Sequence, residues 1–452
     1  MSEYRIPRSY GFAVGQALRA ETCEAYRITG TLGRGGQGEV YRVAGPDGEY
    51  AMKWYRKTYL DCIDVEAFRQ NLRQNVANGV PKLSNGDAAT QFIWPLKMME
   101  ARDGSFGYLM RLFPPGYAPM SDVIMLRSRD GDTGRVVPLR WSSWFACVTA
   151  ALNIVRAFEI LHASGLSYQD INEGSISVNM QNGGVLICDC DNVSPDKTNL
   201  GIRGVVTHMA PEVLLRKKLP DRHTDQYSLA VILFQLFLRG HPMHGVESRA
   251  IINDEEYSQD AAMLRIFGIA PHYCLASRGN RNPPSRQVNA DVLRMCMVFP
   301  LCLMDAFETV FTDGVSDPSK RLTATEWRRV LLQTRDSLLV VDGRENFYNT
   351  RRPMPLPREC RKLARPRGHE VLLMPGKVLY RCHLDEYSAD YSTPMAKVIP
   401  TAKPGIIGLL NATGSPLRFR FEGKTGACPN GKPIPLFPGM VLELKNTKLT
   451  IK

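Results

Sequence analysis

Gly33-Arg34-Gly35-Gly36-Gln37-Gly38-Glu39-Val40, running on into Tyr41-Arg42-Val43, decides how the N-terminal part of this chain is read. Glycines in a G-x-G-x-x-G-x-V spacing let the backbone pass close over a phosphate, because no Cβ stands in the way. The same glycine spacing also opens dinucleotide-binding folds, but there it leads into a helix. Here Glu39 to Val43 continues with strand formers, so the spacing predicts a glycine-rich hairpin whose first strand is Tyr26-Arg27-Ile28-Thr29-Gly30-Thr31-Leu32. A bare hairpin with no ligand is the bland alternative. Thirteen residues after Val40 comes Ala51-Met52-Lys53, inside a further predicted strand from Tyr50 to Tyr55. A lone strand lysine is ordinarily a solvated surface residue. At this distance behind such a loop, Lys53 is the candidate cation for phosphates.

Working outward, Val65, Phe68, Leu72 and Val76 fall on one face of a predicted helix over residues 65–77. The two strongest helical patterns cover residues 144–163 and 225–238. Between them stand Tyr168-Gln169-Asp170 and Asp189-Cys190-Asp191, with Asp170 and Asp189 nineteen residues apart. Ile176-Ser177-Val178 and Val185-Leu186-Ile187-Cys188 form a predicted hairpin between the two. Carboxylates in such places serve two tasks: one orients or deprotonates an attacking hydroxyl, and one holds a divalent metal against phosphates. Isolated aspartates after apolar strands are more often turn residues, but their order and spacing behind Lys53 reverse that reading. Ala210-Pro211-Glu212, Asp225-Gln226-Tyr227 and Pro318-Ser319-Lys320-Arg321 follow in sequence.

Taken in order, these stretches resemble the Gly-rich loop, V-A-I-K, H-R-D, D-F-G and A-P-E motifs of protein kinases. Residues 26–334 resemble bacterial eukaryotic-like (Hanks-type) serine/threonine kinases. Ser167-Tyr168-Gln169-Asp170-Ile171-Asn172-Glu173-Gly174-Ser175, Ile187-Cys188-Asp189-Cys190-Asp191, Phe92-Ile93-Trp94-Pro95-Leu96 and Glu345-Asn346-Phe347-Tyr348 look like one subgroup. Its members are encoded in tellurite-resistance-like operons beside von Willebrand-type and PP2C-type phosphatase proteins. The resemblance implies an α+β bilobal fold and transfer of the ATP γ-phosphate, with Mg²⁺, to Ser or Thr of a protein substrate. It places Gly33, Gly35, Gly36, Gly38 and Val40 over the nucleotide, and backbone groups of Met110, Leu112 and Phe113 at adenine. Lys53 would meet the α- and β-phosphates, Asp170 the substrate hydroxyl and Asp189 the Mg²⁺, with Ser175 as an auxiliary ligand. Glu212 and Arg321 would form a structural pair. A PP2C-type phosphatase and a von Willebrand-type protein are the partners it implies.

The sequence also departs from the kinase pattern. Ser175 stands where an asparagine metal ligand is usual, Asn172 where Ser/Thr kinases carry a lysine, and Val205 where a threonine is usual. Gln169 replaces the arginine that reads an activation-loop phosphate. Glu66 is the only acid in the helix after Lys53, and it sits early. These departures leave open an alternative of another class, a nucleotide-binding pseudokinase acting as scaffold or switch.

A chain of 452 residues exceeds one compact core. The expected segments are an N-terminal extension over 1–25, an N-lobe over 26–113, a C-lobe over 114–334, a basic linker or degenerate ribbon over 335–368, and a small β-sandwich or barrel over 369–452. Residues 344–452 hold 19 Lys or Arg against 8 Asp or Glu, leaving +1 of the net +12 for the rest of the chain. That asymmetry favours an acidic partner for the C-terminal part. The eleven scattered cysteines read as free thiols in a reducing, cytoplasmic setting, and with Cys360 alone near the ribbon position no zinc is expected. No signal peptide and no transmembrane segment is expected, residues 229–238 being too short an apolar run to span a bilayer.

Overall fold

Tyr50, Met52 and Trp54 alternate with Ala51, Lys53 and Tyr55, and the period of two sends these sets to opposite faces of one strand. The computed structural model describes residues 11–129, 133–198, 204–352, 354–366, 368–444 and 447–452. In it strands β1 (Ala17–Arg19), β2 (Ala25–Arg34), β3 (Gly38–Gly45), β4 (Gly48–Tyr55), β5 (Lys97–Met98) and β6 (Gly107–Arg111) pair antiparallel in the order β1-β2-β3-β4-β6-β5. Both faces of β4 are covered. Met52 packs with Tyr26, Ile28, Tyr41 and Val43, with Phe12 and Trp54 against them. Ala51 and Tyr55 pack with Tyr108, Met110, Phe68 and Leu72, the last two from helix α1 (Val65–Asn78). Helix α1 begins where the Asp64 carboxylate accepts from the Ala67 amide at 3.1 Å, and ends on Gly79 at φ 66°. A Cβ at Gly38 would lie 2.1 Å from the Trp54 carbonyl oxygen, so the turn into β3 admits only glycine there. The sheet takes in Ala17–Arg19, which the sequence reading assigned to the N-terminal extension. Residues 1–10 of that extension, and positions 353 and 367 of the basic stretch, lie outside the described residues.

The helical lobe is built on α2 (Trp144–Ala163), the hairpin β7 (Ile176–Asn179) and β8 (Gly184–Ile187), paired Ile176 to Ile187, and α3 (Arg222–Leu238). Helix α3 is buried without a break from Thr224 to Leu238, its polar Asp225, Gln226, Ser228 and Gln235 included. It starts three residues before the predicted Asp225, because Asp221 and Thr224 close a capping box. Among the described residues α2 alone is long and apolar enough to cross a bilayer, and 67% of its apolar window is buried inside the protein. Arg321 grips Glu212 with both guanidinium arms, at 2.7 and 2.9 Å, and donates to the Gly314 carbonyl at 2.7 Å. Its guanidinium also lies 5.2 Å from the Tyr227 ring centroid.

The chain forms two compact units. One comprises the chain up to Ser142, Thr149–Asp291 and Glu308–Thr325; the other comprises Ser143–Val148, Val292–Phe307 and Glu326–Lys452. The second unit carries a hairpin, β9 (Leu338–Val341) and β10 (Arg344–Phe347), and then two antiparallel sheets. Strands β11 (Arg361–Ala364), β12 (Val371–Leu373), β13 (Val378–Tyr380), β14 (Pro394–Pro400), β15 (Ile407–Asn411), β16 (Leu417–Phe421), β17 (Lys424–Cys428), β18 (Pro433–Pro435), β19 (Val441–Glu443) and β20 (Lys448–Ile451) build them. Their orders are β12-β11-β20-β19-β16-β17 and β13-β14-β15-β18. Leu363, Val371, Leu417, Leu442 and Leu449 of the first sheet share one core with Leu379, Val398, Leu409 and Ile434 of the second, which makes a sandwich. The stretch 335–368 is therefore not a bare linker. It supplies β9, β10 and β11, and the last reads as a basic run because Leu363 is its one large apolar residue.

Buried charge also holds the second unit. Asp336 is met by His369 at 2.7 Å, His383 at 3.1 Å and Lys377 at 3.5 Å. Burial works against its charge, but His383, Lys377 and His369 overcome that and hold the carboxyl well below its usual range. Burial pushes His383 the other way from a solvated imidazole, below 6.5, against the pull of Asp336.

Two stability outcomes follow from these contacts. Arg321→Ala should lower the unfolding free energy by about 3 kcal/mol, since it removes a buried guanidinium and leaves the half-buried Glu212 carboxylate unpaired; urea midpoints measure it. Acid should destabilise the second unit. His383 must take up a proton on unfolding, so stability falls below the imidazole's ordinary 6.5. The depressed Asp336 carboxyl contributes stability above the ordinary 3.8, lost as pH falls through that region. Melting temperatures from pH 7 downward should therefore drop, and Asp336→Asn should flatten the lowest part of the curve.

Candidate active site

The loop between α2 and β7 hangs on α3. Asp225, buried one turn into that helix, accepts the Tyr168 amide at 2.6 Å, the Gln169 amide at 3.0 Å and the His162 ring at 3.1 Å. Gln169 is thereby kept at φ 73°, a left-handed backbone that a side chain adopts only under such constraint. Tyr168 turns its hydroxyl to the Cys188 carbonyl, which ties this loop to the residue before Asp189. Asp189 is itself left-handed, φ 51°.

Asp170 leaves this loop toward the front of the lobe. Its Oδ1 accepts the Val205 amide at 3.1 Å and the Asn172 amide group at 3.2 Å. The threonine usual at Val205 is thus replaced by a backbone donor, and the lysine usual at Asn172 by a neutral one. Burial pushes the Asp170 carboxyl above its ordinary range, against those hydrogen bonds. Gln169, at the position of the phosphate-reading arginine, donates its side-chain amide to Ser194 Oγ and to the Thr198 carbonyl, the latter at 3.1 Å. An uncharged link therefore holds the segment after Asp191.

Lys53 is brought to the same place from β4. Its ammonium donates to Asp189 Oδ1 at 2.9 Å, Asp191 Oδ2 at 2.9 Å and Gln37 Oε1 at 2.7 Å. Burial works to discharge it, but the two carboxylates outweigh burial and raise its pKa above the ordinary lysine value. The Asp189 side chain is 41% exposed, whereas Asp191 is fully buried. Ser175 is 1% exposed and its hydroxyl donates to the Asn172 carbonyl at 2.9 Å. Of the glycines, Gly33, Gly35 and Gly36 have open space where a Cβ would stand, so protein packing does not require them. Met110, next to last in β6, is buried, Leu112 is half-buried, and Phe113 is exposed. Val40 sits directly across from Lys53 in the β3–β4 register.

Three members of this site were not singled out from the sequence. Gln37 reaches Lys53 from the loop tip. Tyr55 and Tyr108 donate to Asp191, at 2.5 and 3.2 Å. The signal for Tyr55 was available, since it lies two residues along β4 and so on the Lys53 face. Tyr108 needed the β4–β6 register, in which it stands opposite Lys53. Asp225→Asn should cost about 1.5–3 kcal/mol, because an amide accepts poorly from two backbone N–H groups in place of a carboxylate. Chemical denaturation measures that loss.

Residues 142–329 match the protein kinase domain family. That stretch takes in Asp170, Asp189, Glu212 and Arg321, and begins downstream of Lys53 and the glycine-rich loop, which lie outside it. Among curated proteins, the serine/threonine-protein kinase sck2 of Schizosaccharomyces pombe is 23% identical over 137 residues, 29% of this chain and 21% of that protein. The serine/threonine-protein kinase SCH9 of Candida albicans is 23% identical over 151 residues, 32% of this chain and 19% of that protein. The aligned stretch thus spans about a fifth of the length of these curated relatives. Among solved structures, the Mycobacterium tuberculosis PknI kinase domain is 15% identical, with a TM-score of 0.43 over 72% of this chain and 99% of that one. Residues 142–329 thus resemble a protein kinase domain, and the fold is a protein-kinase fold of a strand-rich and a helical lobe, followed along the chain by further strand-rich sheets.

Proposed function

We propose that this protein is an ATP-dependent serine/threonine protein kinase. The observation that carries the reading is the convergence of Lys53 on Asp189 at 2.9 Å, beside an Asp170 whose loop is fixed by Asp225. In this reading the glycine-rich loop, Gly33 to Gly38 with Val40, covers the nucleotide, and the chain at Met110, Leu112 and Phe113 meets adenine. Lys53 holds the α- and β-phosphates. Asp170 orients the substrate hydroxyl and takes its proton, with Asn172 and the Val205 amide fixing the carboxylate. Asp189 fits a Mg²⁺ ion, because that ion needs only one or two carboxylates when phosphates and waters complete its shell; Ser175 is the auxiliary candidate. When bound, the metal neutralises charge on the transferring phosphoryl group.

The finer proposals follow the subgroup likeness. A PP2C-type phosphatase and a von Willebrand-type protein are the proposed partners, in a cytoplasmic setting. The basic residues over 344–452, net +11, are offered to an acidic surface. The second reading, a nucleotide-binding pseudokinase, draws on Asn172: a neutral amide on Asp170 supplies no charge to a γ-phosphate.

Mg-ATP should raise the melting temperature, since a ligand held only by the native state stabilises it by about 2.7 kcal/mol at a hundredfold excess over Kd. Lys53→Ala should shrink that shift. Asp170→Asn should keep it yet abolish phosphotransfer to protein substrate, because Asp170 serves the hydroxyl and not the nucleotide. No binding by calorimetry sinks the nucleotide reading. Transfer by the wild type equal to that of Asp170→Asn, on cognate partners, turns the assignment to a pseudokinase.

A further inference from the structure

The phosphate-binding lysine of a kinase must be held by a fixed carboxylate, which the helix following its strand ordinarily supplies. Helix α1 supplies none here. Its only acid, Glu66, is exposed in the first turn. The helix faces the site with amides instead: Asn71 and Asn75 each donate to the Val193 carbonyl at 2.8 Å.

A carboxylate is present from another direction. Asp191 is fully buried, and both of its oxygens are taken. Oδ2 accepts from Lys53 at 2.9 Å and from the Tyr55 hydroxyl at 2.5 Å, and Oδ1 accepts from the Tyr108 hydroxyl at 3.2 Å. Lys53, Tyr55 and Tyr108 share one face of the sheet, Tyr108 directly opposite Lys53. Burial keeps both phenols protonated, so they act as donors. A buried carboxylate is costly unless it is paired and hydrogen-bonded, and this one has an ammonium and two hydroxyls built around it.

We propose that Asp191 is the positioning residue for Lys53, replacing the helix carboxylate from the loop that also carries Asp189. The proposal rests on the kinase reading above. Lys53 and the metal-facing Asp189 are then set by one short segment, and a rotation of α1 would not by itself remove the lysine's partner. The lysine's readiness follows the Asp189–Asp191 loop rather than an acid on the helix.

Two measurements test this on the full chain. The first uses ligand-free protein and a double-mutant cycle of melting temperatures. Lys53→Met leaves the Asp191 charge unpaired, so adding Asp191→Asn should cost much less than it does alone, whereas Glu66→Gln should add independently. Simple additivity for Lys53 with Asp191, or coupling to Glu66 instead, overturns the proposal. The second compares affinities for ATP and adenosine. Asp191→Asn should keep adenosine binding and lose about tenfold of the preference for ATP, the size that coupled charge pairs reach. Glu66→Gln should keep the preference. If Asp191→Asn does not fold, Tyr55→Phe with Tyr108→Phe removes only the two hydroxyls, and the preference should still fall; an unchanged preference overturns the proposal. A wild type that does not bind ATP would sink the kinase reading separately, and the ligand-free cycle would still decide whether Asp191 holds Lys53.

Discussion

A single buried carboxylate, Asp225, organises the helical lobe's contribution to the site. It sits in the first turn of α3, a helix buried from Thr224 to Leu238, and its carboxylate accepts the Tyr168 and Gln169 amides. An ionised group in that position is tolerated only because those donors replace water. The consequences run outward. The strained turn at Gln169 aims Asp170 at the front of the lobe, and the Tyr168 hydroxyl carries the constraint to Cys188 and so to the left-handed Asp189. Arg321 and Glu212 do comparable work for the same helix, through the Tyr227 ring and the His223 carbonyl.

Much of this was legible in the sequence because the decisive residues are locally encoded. A G-x-G-x-x-G spacing, a lysine in an alternating strand, and aspartates after apolar runs each announce themselves within a few positions. The strands β2, β3 and β4, the helix α2 and the hairpin β7–β8 lie where the patterns put them. Other features were hidden for physical reasons. The tie of Asp191 to Lys53 is hidden because it depends on two tyrosines from separate strands that close over it. Helix α3 begins at Arg222 because its cap is Asp221, which no apolar periodicity marks. Strand β11 reads as a basic run since only Leu363 faces the core. Asp336 and Arg335 are charged residues, and charge predicts exposure, yet both are buried.

The basic character of the C-terminal part takes a different meaning once its partners are known. Arg335 is stacked among Tyr380, Phe145 and Tyr391, with centroid distances of 4.7, 5.2 and 5.6 Å. Arg361 donates to the carbonyls of Arg358, Cys360 and Gly405, and Arg365 to those of His369 and Cys382. Lys362 and Lys452 share Glu370. Several of the cations that unbalance the sequence are therefore fasteners of loops and strand ends. The charge free to attract an acidic partner is narrower, and includes Arg418 and Lys448, exposed on β16 and β20.

The order of strands in the sandwich bears on how the protein is made. Strand β20 lies in the middle of the six-stranded sheet, between β11 and β19, although it follows every other strand of that sheet in sequence. The ribosome releases β11 and β12 long before the strand that joins them to β19, β16 and β17 exists. Until Lys448–Ile451 emerge, β11 keeps an unpaired edge and Leu363 has no Ile451 beside it. Such edges invite pairing with other chains, so this sheet stays open to mispairing until residues 448–451 close it.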